Sequence, residues 1–376
     1  MVGDTGKGGA RRKRSALPRW ARWCTALGAA LMLISGVVLV GAEALLARYA
    51  GAVRSDDLFD DTGKQEARSD ITGPLNLLLV GIDPRASSPN TPPLADSVLI
   101  LHVTPSMEQA YLFSMPRDLI VEIPRFDKAN FPGGSDRINS AMAYGSKVPG
   151  QDKPDPARGF ALLAKTVSQR TGIARFDAGA IINFTGFQKI VDAMGGVTMY
   201  IDGDVKSEHR EPDGRHRRGN PAGEGYIGPQ AEYKKGTRHL EGWQALDYVR
   251  QRKTLPDSDY GRQRHQQQFV KAMVNQAFSR DVVTNPFKLD SVLRAAGQSV
   301  IFDGHGHTVA EFGFALRNIR SSSIVMMKLP GESIMNGSDY QGERLQPLAE
   351  EFFAALRGGS VETFVVSHPE LLNQEK

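Results

Sequence analysis

Residues 23–42 (WCTALGAALMLISGVVLVGA) run for 20 positions without a charge. A helix rises about 1.5 Å per residue, so this stretch is long enough to cross the ~30 Å hydrocarbon core of a bilayer. Just before it, residues 1–22 carry seven basic side chains (Lys7, Arg11, Arg12, Lys13, Arg14, Arg19, Arg22) and one acidic one, Asp4. Basic flanks stay on the cytoplasmic side. The expected organisation is a cytoplasmic tail (1–22), one transmembrane helix (23–42), an extracellular stalk (43–70), a folded domain (71–368) and a short tail (369–376). The protein is then expected in the cell membrane as a single-pass chain, its N-terminus cytoplasmic and its folded part outside. A cleaved signal peptide is the alternative, since residues 40–42 (VGA) have small-residue character. The run exceeds the roughly 7–15 residues of a signal-peptide core, which favours a retained anchor.

The same tail explains the charge. The chain of 376 residues has 46 basic and 42 acidic side chains, and its pI is about 9.0. Without residues 1–22 the balance becomes 39 basic against 41 acidic. A folded part with net charge −2 has no broad positive surface for a nucleic-acid backbone. Cys24 is the only cysteine and falls inside the apolar run, so an intramolecular disulfide, a cysteine zinc site and a cysteine nucleophile outside the membrane are all excluded. Roughly 300 exported residues can build a core without such cross-links.

Short apolar runs at 76–81 (NLLLVG), 97–103 and 111–115 read as buried strands, with a short fourth at 119–123. Residues 84–93 (PRASSPNTPP) read as a loop by their Pro, Ser and Asn content. Helical spacing follows at 137–144 and 157–170. Next come a strand at 178–184, a helix at 187–194 closed by Gly195-Gly196, and a strand at 197–201. Residues 203–236, rich in Gly, Pro, Arg and Lys, read as a long loop. Helices are expected at 242–249, 260–277, 286–299 and 309–319, a last strand at 324–329 and a last helix at 346–356. This alternation predicts a single α/β/α sandwich-like domain with a central mixed sheet, preceded by the transmembrane helix.

Polar residues gather where such elements end, the usual place for sites in α/β folds. Asp83 and Arg85 follow the first strand, Asp96 precedes the second, and Arg117 and Asp118 follow the third. Arg250 and Arg252 end a helical run, and Asp259, Arg262, His265 and Gln266 open the next. Three- and four-residue spacing puts Arg262, His265 and Gln266 on one helix face, with Asp259 as a candidate N-cap. Arg250 and Arg252 share a face only if the chain unwinds near Val249. Arginine forks bind phosphate oxygens bidentately, and carboxylates hold a divalent cation that bridges them. Taken one at a time, each of these charges is explained as solvated surface; their concentration at element ends is what points to a pyrophosphate. His305 and His307 lack a third ligand at a known spacing. No GxGxxG, P-loop or GxSxG occurs.

Seven blocks in order, LNLLLVGIDPR, LADSVLILHV, LFSMPRDLIVEIP, RINSAMAYG, FTGFQKIVDAMGGVTMYI, HLEGWQALDYVRQRK and SDYGRQRHQQQFVKAM, resemble the LytR–CpsA–Psr family of membrane-anchored cell-wall glycopolymer ligases. The resemblance covers residues 75–275 and is weaker beyond them. It implies an α/β/α domain that takes a polyprenyl-pyrophosphate-linked glycan and transfers the glycan with one phosphate to peptidoglycan, leaving polyprenyl phosphate. It further implies Mg²⁺ or Mn²⁺ on Asp83 and Asp96, and pyrophosphate contacts from Arg85, Arg117, Arg250, Arg252, Arg262 and Gln266. His265 stands where the family pattern has a second arginine; it would add a hydrogen bond but be charged only part of the time. The catalytic set is Asp96, Arg117 and Asp118, with either carboxylate open as the proton acceptor. The apolar residues 178–182 are candidates for a prenyl channel. Two other enzymatic or regulatory readings are a pyrophosphate hydrolase and a membrane-bound transcriptional attenuator. The second is disfavoured by the expected topology. A non-catalytic lipid or peptidoglycan binder is the remaining alternative.

Overall fold

The computed structural model describes residues 54–59, 70–84, 87–283 and 285–373. The basic tail, the apolar run at 23–42 and Arg85 lie outside the described residues. Among those described, no helix is long and apolar enough to cross a membrane.

Seven strands form the central sheet. In chain order they are β1 (Arg54–Ser55), β2 (Leu75–Ile82), β3 (Ala95–Val103), β4 (Ala110–Met115), β5 (Ala178–Asn183), β6 (Val300–Asp303) and β7 (Ile324–Met327). Their spatial order is β1-β6-β5-β2-β3-β4-β7. β2 runs parallel to β5 and antiparallel to β3, so the sheet is mixed as expected. Side chains alternate along β2: Leu78, Val80 and Ile82 enter one core, Leu75 and Leu77 the other. Both faces are apolar because both are covered.

Helices α1 (Ile138–Ser146) and α2 (Pro156–Thr171) pack on the first face through Met142, Phe160 and Leu163. Asp155 caps α2 by accepting from the Ala157 amide, and Gly172 closes it in the left-handed conformation (φ 71°). The site is built by three helices on the other side: α3 (Phe184–Ala193), α4 (Gly242–Arg250) and α5 (Ser258–Ala277). They enclose a second core with Val197, Tyr233, Tyr248 and Phe269. Farther along the chain, α6 (Pro286–Ser299) starts and ends where its apolar spacing predicts.

Several expectations need correction. Residues 54–59, placed in the stalk, belong to the fold. β1 pairs with β6, Leu58 is fully buried, and its amide donates to Asp303 Oδ2 at 2.9 Å. The Phe59 ring meets Phe160 edge-on at 5.4 Å. The run at 324–329 is not the last strand: residues 331–336 and 339–345 form a hairpin. That hairpin is half exposed and polar, so it carries no buried apolar run to announce it. A further helix, Val361–Ser367, follows the expected last one.

Candidate active site

One edge of the sheet collects the polar residues. β2 ends there, antiparallel β3 begins opposite it, and β4 ends beside β3. Asp83, Asp96 and Arg117 therefore emerge side by side, although their sequence neighbours are strands running in different directions. β5, parallel to β2, ends at the same edge and leads straight into Phe184 of α3.

A cleft of about 240 Å³ lies at this edge, lined by Asp83, Asp96, Ser97, Arg117, Phe184, His209, Arg250, Arg262 and Gln266. Arg117 is its electrostatic centre. Its Nη1 lies 2.8 Å from Asp96 Oδ1, and its Nε lies 3.6 Å from Asp118 and 3.9 Å from Asp259. Burial works against that cation, but the three carboxylates prevail and raise its pKa above the usual arginine value. Arg262 shows the opposite balance. It is almost wholly buried, and burial lowers its pKa despite an ion pair with Asp259 Oδ1 at 2.6 Å. An arginine does not lose its proton in a protein, so this lowering measures a buried cation short of negative charge. Arg250 pairs with Asp83 at 3.1 Å and stacks its guanidinium 4.2 Å above the Phe184 ring.

Local structure accounts for these placements. α4 ends at Arg250, and Gln251 is extended (φ −61°, ψ 133°), the unwinding that the spacing of Arg250 and Arg252 calls for. Arg252 does not line the cleft, though its charge bears on Arg262. Asp118 also lies outside the lining and is held between Arg117 and Arg137, 3.6 Å from each. Asp259 is not the N-cap of α5, which is Asp257. It sits in the first turn, where a carboxylate suits the helix dipole, and joins Arg117 to Arg262.

His265 is the main departure. Arg262 and Gln266 both line the cleft, whereas His265 is fully buried on another face of α5. On a helix, positions i+3 and i+4 are separated by about 100°, so the two neighbours look different ways. His265 stacks on Tyr248 with ring centroids 4.2 Å apart, and its Nε2 lies 3.3 Å from Asp202 Oδ1. Asp202 also accepts from Arg264 at 2.6 Å and Gln268 at 3.2 Å. This network fastens α5 to the second core instead of serving the cleft.

The sequence reading missed Ser97, Phe184 and His209. Ser97 adjoins Asp96 at a strand start and was within reach of the same end-of-element argument. His209 lies in an aperiodic loop, and no local pattern ties it to Arg250.

An apolar cleft of about 250 Å³ adjoins the polar one, sharing Ser97, Phe184 and Gln266 with it. Its other lining includes Leu99, Ile182, Phe187, Val249, Phe269 and Met273. Of the candidate channel residues 178–182, only Ile182 contributes; the groove runs between α3, α4 and α5, not along the strand. Asp83 and Asp96 offer hard oxygen donors in one cleft. That set fits a cation such as Mg²⁺, which keeps waters and shares one or two carboxylates with phosphate oxygens. Among the described residues, no three His, Cys, Asp or Glu side chains form a metal cage.

A model of the LytR_cpsA_psr family matches residues 45–357. Biofilm regulatory protein A of Streptococcus mutans serotype c is 25% identical over 331 residues, 84% of this chain and 73% of that protein. Cell wall biosynthesis protein LcpA of Corynebacterium glutamicum is 27% identical over 254 residues, 65% of this chain and 44% of LcpA. TagU of Bacillus cereus, named a polyisoprenyl-teichoic acid–peptidoglycan teichoic acid transferase, is 27% identical over 226 residues, 60% of each chain. The chain thus spans less than two thirds of these last two relatives. Among solved structures, B. subtilis TagV is similar with a TM-score of 0.55 at 21% identity, over 76% of this chain and 96% of that one. TagT bound to LI-WTA gives 0.53 at 24% identity, over 80% and 97%. These likenesses bear on the fold, a mixed α/β domain with a central mixed sheet. The family match covers the sheet, both clefts and every described residue that lines them, and the chain belongs to the LytR_cpsA_psr family.

Proposed function

We propose that this protein transfers a glycopolymer, together with one phosphate, from a polyprenyl-pyrophosphate carrier to a hydroxyl of peptidoglycan during cell wall assembly. The observation that carries the proposal is the continuity of the two clefts. A charged cleft with three arginines meets an apolar groove along a seam of Ser97, Phe184 and Gln266. A prenyl pyrophosphate has that same division between a doubly charged head and a hydrocarbon tail.

In this reading Arg117, Arg250 and Arg262 bind the pyrophosphate oxygens and stabilise the charge that builds on the leaving phosphate. The family resemblance implies further pyrophosphate contacts from Arg252 and from Arg85, which lies outside the described residues. Asp83 and Asp96 hold Mg²⁺ or Mn²⁺, which when bound neutralises phosphate charge. Asp118 and Asp259 orient Arg117 from behind. Gln266 fixes the seam, and His265 supports α5 without touching the donor. Residues 23–42 anchor the chain in the membrane that holds the lipid donor, with the domain outside the cell. The relatives' names supply the acceptor class, since TagU is named for transfer to peptidoglycan.

The reading is tested by reconstituting the full chain with a short lipid-linked donor and peptidoglycan oligomers. Phosphodiester-linked polymer on peptidoglycan is the expected product. Free phosphorylated glycan in its place would make the enzyme a hydrolase.

A further inference from the structure

The proposed transfer leaves one proton to be placed. Asp96 is engaged by Arg117 and reserved for the cation, and Asp118 does not reach the cleft. His209 does. It is the one residue of the long 203–236 loop in the cleft lining, and it lies there together with Arg250.

The loop is fastened where His209 sits. Ser207 Oγ accepts from the amides of His209 and Arg210 at 3.1 and 2.8 Å. The Glu208 amide donates to Gln251 Oε1 at 2.8 Å, and Gln251 Nε2 donates to the Asp247 carbonyl at 2.8 Å and its carboxylate at 3.0 Å. Gln251 is the residue that ends α4 directly after Arg250. One buried amide side chain therefore ties the histidine loop to the turn that presents the arginine. The Arg217 guanidinium donates to the Glu208 carbonyl at 2.9 Å, and the Arg217 amide donates to the His209 carbonyl at 2.9 Å. Tyr226 meets the imidazole edge-on at 5.3 Å. These bonds fix the backbone that carries the ring, and none of them engages an imidazole nitrogen. The closest carboxylate oxygen paired with it, on Glu208, is 3.9 Å from Nε2, beyond hydrogen-bond reach.

We propose that His209 is the proton acceptor of the transfer reaction, an inference that rests on the function proposed above. The acceptor hydroxyl oxygen forms its bond to the glycan-linked phosphorus as the bridging P–O bond breaks. That electron pair leaves with polyprenyl phosphate, and the hydroxyl proton passes to an imidazole nitrogen and then to solvent. Burial keeps His209 below the ordinary histidine pKa; Glu208 and Asp247 oppose the shift, and Arg250 and His216 add to it. The neutral base therefore prevails at neutral pH. Asp83 faces Arg250, and Tyr226 is the other titratable group against the ring.

The test compares pH profiles of kcat/KM for the full chain and for His209→Gln between pH 5 and 9, with donor binding measured in parallel. The wild type should lose activity on the acid side, with a midpoint below ~6.5. The variant should lose about 10²–10⁴-fold in transfer, lose the acid limb and still bind donor within about threefold. Added imidazole should restore part of the activity of His209→Gly. Transfer by His209→Gln within about threefold of wild type, a retained acid limb, or loss of donor binding would each overturn the assignment. Absence of transfer by the wild type would instead overturn the proposed function, and this inference with it.

Discussion

Ser97 Oγ donates to Gln266 Oε1 at 2.9 Å, joining the start of β3 to α5 across 169 residues of sequence. The bond lies on the seam shared by the charged cleft and the apolar groove. It holds the helix that carries Arg262 against the strand that carries Asp96, so the walls of the two clefts are fixed to each other.

Gln266→Ala removes this link and, under the proposed function, a polar contact to the donor's head group. A hydrogen bond of this kind is worth about 1 kcal/mol, so donor affinity should fall roughly fivefold while the melting temperature changes little. Titration of a lipid-linked donor, alongside thermal unfolding, measures both. An unchanged affinity would remove Gln266 from the site.

The groove makes a separate prediction. Met273 lines it away from the arginines. Met273→Glu should weaken a long-chain prenyl donor while sparing a donor with a chain of only a few carbons. Each buried methylene contributes about 0.8 kcal/mol, so the discrimination between long and short donors should shrink at least tenfold. Equal loss for both donors would place the tail elsewhere.

Asp202 should contribute to the loss of stability at low pH. Burial alone would raise its carboxyl pKa, but hydrogen bonds and charge from His265 and Arg264 hold it well below the usual carboxylate range. A group depressed in this way stabilises the fold above its unfolded pKa of about 3.9, and that contribution is lost as pH falls toward the folded value. The melting temperature of the wild type should therefore drop steeply below about pH 4. Asp202→Asn, which breaks a nearly buried ion-pair network, should cost about 3 kcal/mol at neutral pH and flatten that acid limb. Thermal unfolding from pH 7 to pH 2 reads both effects.

Residues 54–59 supply a test of the domain boundary. A soluble domain starting at residue 70 lacks β1 and the buried Leu58. Burial of one leucine contributes about 2 kcal/mol, so that domain should melt roughly 3 °C lower than one starting at residue 50. Identical melting temperatures would return these residues to the stalk.

What could be read from the sequence followed physical continuity along the chain. The apolar runs of β2, β3 and β4 are buried on both faces and stand out without an alignment. Helix α6 is bounded by Asn285 and Pro286, which cap and start it visibly. Asp83, Asp96 and Arg117, which line one cleft, stand at element ends, where such sheets expose chemistry. Other parts depended on contacts made through space. Leu58 looks like any residue of an acidic segment until β1 pairs with β6. The hairpin at 331–345 buries too little to leave a pattern. His265 and Gln266 are chain neighbours, and only the rotation of α5 against Tyr248 decides which of them faces the cleft. His209 owes its place to Gln251, a link that no local spacing encodes.

The central claim is that the arginine-lined cleft handles the pyrophosphate of a lipid-linked glycan. The most direct test is transfer of a short lipid-linked donor to peptidoglycan oligomers, measured for the wild type with and without EDTA and for Arg117→Ala and Asp96→Ala. The account predicts cation-dependent transfer by the wild type, and a loss of about 10²-fold or more in each variant. Undiminished transfer by both variants would contradict it.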